Sequence, residues 1–116
     1  MVVIHKKGIL LSKTDIHFEN EAVLNPAVMQ EGNTVHVFYR AVSHGNNSSI
    51  GYCRLNGTDK IEVRHTEPIL FPELASESHG IEDPRIVKID DLYYLTYTAY
   101  DGVNALGALA TSKDLK

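Results

Sequence analysis

The chain has 116 residues, a formal net charge of −4 and a single cysteine, Cys53. That length holds one small domain or part of a larger protein. Scattered Lys and Arg on an acidic chain argue against nucleic acid as a partner, and one thiol cannot form an internal disulfide, which fits a reducing compartment. No stretch approaches the ~20 apolar residues of a membrane span. Met1-Val2-Val3-Ile4 is too short for a signal peptide and precedes its charges, His5-Lys6-Lys7, rather than following them. The reading is a soluble, cytoplasmic protein with no membrane partner.

Residues 1–24 form a weakly patterned amino-terminal segment in which Gly8-Ile9-Leu10-Leu11-Ser12 could make a short strand. From Asn25 the pattern sharpens. Ala27-Val28-Met29 reads as a strand, Glu31-Gly32-Asn33 as a turn and Thr34 to Arg40 as a second strand. After a loop over Ser43 to Asn47, Ser49 to Leu55 reads as a third strand, Asn56-Gly57 as a turn and Ile61 to His65 as a fourth. Cys53 lies within the third strand among apolar residues and is expected to be a buried thiol. Pro68 and Pro72 mark a connecting loop over 67–82. Pro84 biases Asp83 towards extended backbone, so Asp83-Pro84 reads as the start of another strand. Ile86 to Ile89, a turn at Asp90-Asp91, and Leu92 to Tyr100 then make a hairpin rich in tyrosine and β-branched residues.

Placing Asn25-Pro26 over Asp83-Pro84, an offset of 58 residues, superimposes the two hairpins without a gap. Ala27-Val28-Met29 then falls on Arg85-Ile86-Val87, Gly32-Asn33 on Asp90-Asp91, and Arg40 on Thr98. With a loop two residues shorter, Ser49 to Cys53 meets Ala105 to Leu109. Turn chemistry and apolar positions agree together, which marks an internal repeat of a four-stranded antiparallel unit. Such units stack radially as the blades of a β-propeller. The fold class is therefore all-β, with a first blade over 25–66 and an incomplete second blade over 83–116. A propeller needs about four to eight blades to close. The sequence thus reads as part of a longer protein, its remaining blades lying beyond these residues, or as a unit that forms a homo-oligomer.

In a propeller the innermost strand of each blade lines the central channel. The repeat sets Asn25 and Asp83 at equivalent places on one mouth, with Arg40, Glu82 and Arg85 nearby and Ser43, His44 and Asp101 in the loops above. Polar groups converging on a concave mouth suit a ligand. Gly80 supplies backbone freedom to bring the acidic pair against another group. Taken alone, Asp83 and Arg85 also fit an ordinary turn with a surface ion pair. The six histidines have no ligand spacing, so a metal site is not expected. Tyr93, Tyr94 and Tyr97 read mostly as blade packing, with Tyr100 near the mouth a stacking surface for a sugar.

Leu24-Asn25-Pro26-Ala27-Val28, Phe38-Tyr39-Arg40-Ala41 and Gly80-Ile81-Glu82-Asp83-Pro84-Arg85-Ile86, followed by the tyrosine-rich Tyr93 to Gly102, resemble glycoside hydrolase family 130. The resemblance implies a five-bladed propeller that cleaves β-mannosides with inversion, using phosphate or water as nucleophile, and needs no cofactor beyond inorganic phosphate as a co-substrate. It implies that Asp83 is the catalytic general acid and that Asn25 and Arg40 hold the sugar; Glu82, Arg85 and Asp101 are further candidate substrate contacts. A phosphorolytic site needs one protonated carboxyl and a cationic pocket, whereas an inverting hydrolase needs a second carboxylate and room for water. Two other readings stay open, a non-catalytic carbohydrate-binding unit and a structural remnant that persists as an oligomer.

Overall fold

The computed structural model describes residues 1–115. Seven strands are formed: β1 (Ala22–Glu31), β2 (Thr34–Ser43), β3 (Asn47–Asn56), β4 (Lys60–Arg64), β5 (Gly80–Ile89), β6 (Leu92–Tyr100) and β7 (Ala105–Ser112). They make a four-stranded antiparallel sheet, β1-β2-β3-β4, and a three-stranded one, β5-β6-β7. Short 3₁₀ turns, η1 (His17–Glu19) and η2 (Ala75–Glu77), precede β1 and β5. The expected strand at Gly8 to Ser12 is absent, because its apolar run is too short to pair and Leu11 instead packs against the first sheet.

The two sheets are copies of one another in register as well as in pattern. Ala22↔Val42, Leu24↔Arg40, Ala27↔Phe38 and Glu31↔Thr34 in the first hairpin match Gly80↔Tyr100, Glu82↔Thr98, Arg85↔Thr96 and Ile89↔Leu92 in the second. Both turns open on a residue of positive φ, Gly32 at 59° and Asp90 at 54°. The third strands correct the sequence alignment. Arg40 pairs with Ile50 and Thr98 with Gly107, so Gly51 corresponds to Ala108 rather than to Gly107. A slip of one residue exchanges the two faces of a strand. Gly51 is needed because Tyr39 lies across it; a Cβ there would stand 2.4 Å from the ring.

The repeat also reaches further back than Asn25. Glu19 in η1 and Glu77 in η2 are both buried, and each accepts a hydrogen bond from the equivalent tyrosine of the second strand, Tyr39 Oη at 2.7 Å and Tyr97 Oη at 2.6 Å. Glu21 N–H donates to Val42 O as His79 N–H does to Tyr100 O, both at 2.9 Å. The segments before β1 and β5 are thus matching parts of the repeated unit, and the last residues of the expected connecting loop, from Gly80, already belong to β5.

The sheets pack face to face through Ala27, Phe38, Ile50 and Tyr52 of the first and Ile81 and Leu95 of the second. The far face of the first sheet, with Val37, Tyr39, Ala41, Cys53 and Leu55, is covered by Leu11 and Phe18 of the amino-terminal segment. Cys53 is fully buried, and burial pushes its thiol pKa up, which keeps it protonated and unreactive.

Candidate functional site

β1 and β5 lie side by side as the inner strands of the two blades, and each is interrupted at the same point. Between Leu24 and Ala27, and between Glu82 and Arg85, the register skips, so Asn25-Pro26 opposes Tyr39 alone and Asp83-Pro84 opposes Tyr97 alone. These are β-bulges, the sites where a strand accepts proline, since the missing N–H needs no ladder partner there. Asn25 has φ 48° and Asp83 φ 53°. The extended backbone expected of Asp83 is therefore wrong. Proline disfavours the right-handed α region in its predecessor but does not force extension, and Asn and Asp are the side chains that most readily enter the left-handed region. Nor does Asp83 start its strand, since β5 has already run from Gly80.

The bulges turn the two side chains together. Asn25 Nδ2 donates to Asp83 Oδ1 at 2.6 Å, across 58 residues of sequence. Beside this pair, Arg40 Nη2 meets Glu82 Oε1 at 2.9 Å and Arg40 Nε donates to Ser48 Oγ at 2.8 Å. Asn25, Asp83, Arg40 and Glu82 thus gather at one end of the inner strands, and the blade-to-blade contact runs through both pairs. Gly80, at φ 129°, lets the start of β5 seat against the Ser48 backbone.

Two residues expected at the site have other partners. Arg85 donates from Nη1 to the neighbouring Pro84 O at 2.8 Å, and the register puts it on the face of the second sheet turned away from the first, with Val87 and Leu109. Among the described residues no ion pair joins it to Asp83, because the bulge turns Asp83 towards Asn25. Asp101 closes its own loop: Oδ1 accepts from the Val103 and Asn104 N–H groups at 2.9 and 2.6 Å, and Oδ2 from Asn104 Nδ2 at 3.2 Å. These bonds, the Asn104 N–H first, hold its carboxyl below the usual range. Ser43 Oγ donates to Asn47 O. Tyr100 donates to Gly102 O and sits edge-on to His79.

Ser48 is the member of the cluster that the sequence did not announce. It is 1% exposed, and a buried serine with its hydroxyl on a guanidinium could be suspected only from the alternation of β3, where a polar residue stands at a core position. A hollow of about 310 Å³ adjoins this end of the strands, lined by His44, Asn46, Asn47, Ser78, His79 and Tyr100. Among the described residues no group of three or more His, Cys, Asp or Glu side chains could hold a metal ion.

A family model described as beta-1,4-mannooligosaccharide phosphorylase, glycoside hydrolase family 130, matches residues 4–116. The chain belongs to this family. A beta-1,2-mannobiose phosphorylase of Thermoanaerobacter sp. (strain X514) is 39% identical over 129 residues, covering 95% of this chain and 41% of the relative. A 1,2-beta-oligomannan phosphorylase of the same organism is 36% identical over 120 residues, covering 94% and 40%. Among solved structures, one belonging to a study of family glycoside hydrolases that target beta-1,2 mannosidic linkages in Candida mannan superimposes with a TM-score of 0.83 at 25% identity, over 92% of this chain and 36% of that one. The two sheets are accordingly blades of the family's propeller, and the chain spans about 40% of the length of the curated relatives it matches.

Proposed function

We propose that this chain carries the acid-bearing part of a site that cleaves β-mannosides by inversion, with inorganic phosphate as the nucleophile. The observation that carries the reading is the Asn25–Asp83 hydrogen bond of 2.6 Å at the two matched bulges. It ties one carboxyl oxygen, Oδ1, to an amide and leaves Oδ2 as the oxygen that can hold and deliver a proton to the leaving group. Asp83 acts as general acid, and Asn25 and Arg40 hold the sugar beside it.

Phosphate is favoured over water because both curated relatives are named as phosphorylases. An inverting hydrolase needs a second, available carboxylate ~6.5–9.5 Å from the acid to activate water. Among the described residues Glu82 is held by Arg40 and Asp101 by its own loop, and a phosphorolytic site needs no such base because phosphate brings its own nucleophilic oxygen. The β-1,2 linkage named for the two curated relatives makes β-1,2-mannobiose the substrate to try first. The buried, unpaired Cys53 fits a reducing, cytoplasmic setting.

The test is release of mannose 1-phosphate from β-1,2-mannobiose with and without phosphate by a protein carrying the complete propeller, in its wild-type and Asp83→Asn forms. Loss of a general acid lowers turnover by about 10²–10⁴-fold. Release of free mannose without phosphate would assign a hydrolase instead. Binding of the disaccharide with no turnover under either condition would assign a carbohydrate-binding unit.

A further inference from the structure

The geometry points to Ser48 as a positioning residue that turns the Arg40 guanidinium so that one of its edges faces a ligand at the rim. The inference rests on the reading of Arg40 as a sugar contact. A guanidinium is planar and carries five N–H donors in a fixed fork, so fixing two of its nitrogens fixes the direction of the rest. Here Nε is held by Ser48 Oγ at 2.8 Å and Nη2 by Glu82 Oε1 at 2.9 Å. Both anchors lie along the same side of the fork. The Nη1 end has no partner among the described residues, and the Arg40 side chain is 15% exposed, so that end remains accessible to two vicinal sugar hydroxyls or to two oxygens of an anion.

The anchors come from different blades, which gives Ser48 a role beyond local packing. Ser48 belongs to β3 of the first blade and Glu82 to β5 of the second. Gly80, two residues before Glu82, touches the Ser48 backbone so closely that a Cβ on it would stand 3.0 Å from Ser48 N and 3.3 Å from Ser48 O. Ser48 therefore meets β5 at its backbone and Arg40 at its hydroxyl. Without the hydroxyl, Arg40 keeps its ion pair with Glu82 but can rotate about it, and the free edge loses its direction.

The experiment compares the wild type with Ser48→Ala in two measurements made well below the melting transition. The first is the affinity for β-1,2-mannobiose and for inorganic phosphate, read by calorimetry. The second is the water-exchange rate of the Arg40 Nε–H in ¹⁵N spectra, with the exposed Arg85 as internal reference. For Ser48→Ala we expect affinity about ten- to a hundred-fold weaker, the size of one hydrogen bond to a charged group, together with an Arg40 Nε–H that exchanges as fast as that of Arg85. Ser48→Cys, of similar shape but a much weaker acceptor, gives the same comparison should Ser48→Ala not fold. Unchanged affinity in a folded variant overturns the inference. If the wild type binds neither probe, the reading of Arg40 as a sugar contact falls, and exchange alone decides: slow in the wild type and fast in the variant upholds Ser48 as the orienting group, and equal rates overturn it.

Discussion

Asp83 occupies a backbone state that few side chains accept. At φ 53°, with Pro84 following and Asn25 at φ 48° as its counterpart on β1, it sits in the left-handed region, which costs most residues about 1–2 kcal/mol and Asn and Asp less. β-branched side chains are the least suited to it. Asp83→Asn should therefore leave stability close to wild type, while Asp83→Val should lower it by about 1–2 kcal/mol, read from urea denaturation midpoints. Equal midpoints for the two variants would contradict the bulge conformation. The comparison also shows why Asp83→Asn is the cleaner probe of acid chemistry: it changes the proton without disturbing the backbone that aims the side chain at Asn25.

Above the single residue, the repeated element is a hairpin with a strap. In each copy a 3₁₀ turn sends a buried glutamate to the tyrosine that stands opposite the bulge. For Glu77, burial raises the carboxyl pKa, but the Glu73 N–H, the Tyr97 hydroxyl and the Leu74 N–H outweigh it and leave the group below its ordinary 4.5. The same tie, after burial, pushes Tyr97 up to about 12. Glu31, at the far end of β1, is also lowered, chiefly by the Tyr93 hydroxyl of β6 and then by Lys88 of β5. A carboxyl whose folded pKa lies below its unfolded one stabilises the fold fully above 4.5, and that contribution disappears as pH falls through the folded value. Denaturation midpoints should accordingly hold steady from neutrality to about pH 5 and drop below it. Tyr97→Phe should be less stable than wild type by about 1 kcal/mol near neutrality and show a shallower acid drop. A parallel fall in both proteins would place the acid sensitivity elsewhere. Much of this element was legible in the chain: the two Asx-Pro pairs, the turns and the tyrosine-rich strand gave the offset, the hairpin register and the meeting of Asn25 with Asp83. The bulge was not, because proline in a sequence announces an irregularity without naming its φ. The register of β7 was missed because two nearby glycines, Gly51 and Gly107, invited alignment, whereas pairing placed Gly51 with Ala108. The strap was missed because Glu19 and Glu77 are charged residues in unpatterned segments, and only the fold reveals that they are buried.

At the scale of the molecule, the two sheets differ in what covers them. The first has the second sheet on one face and the amino-terminal segment on the other, and its outer strand β4 carries Lys60, Glu62 and Arg64 along a short edge, the usual protection against unwanted pairing. The second sheet has no such protection. On its far face Val87, Ile89 and Leu109 are each more than half exposed, and β7 runs eight residues without a charge or a proline. Its outer edge has no strand beside it among the described residues. Exposed apolar area joined to an open, uncharged edge favours strand addition by another chain. For the 116-residue chain by itself, the partner of matching chemistry is a second copy, β7 against β7 in antiparallel pairing. Light scattering on a sizing column should then give a mass above that of the monomer that rises with concentration. Leu109→Lys, which puts a charge on the far face, and Gly107→Pro, which removes an N–H that the ladder leaves pointing away from β6, should each shift the mass towards the monomer. A monodisperse monomer for the wild type at high concentration would refute this account of the open face, while leaving the Asn25–Asp83 pair, which is internal to the chain, untouched.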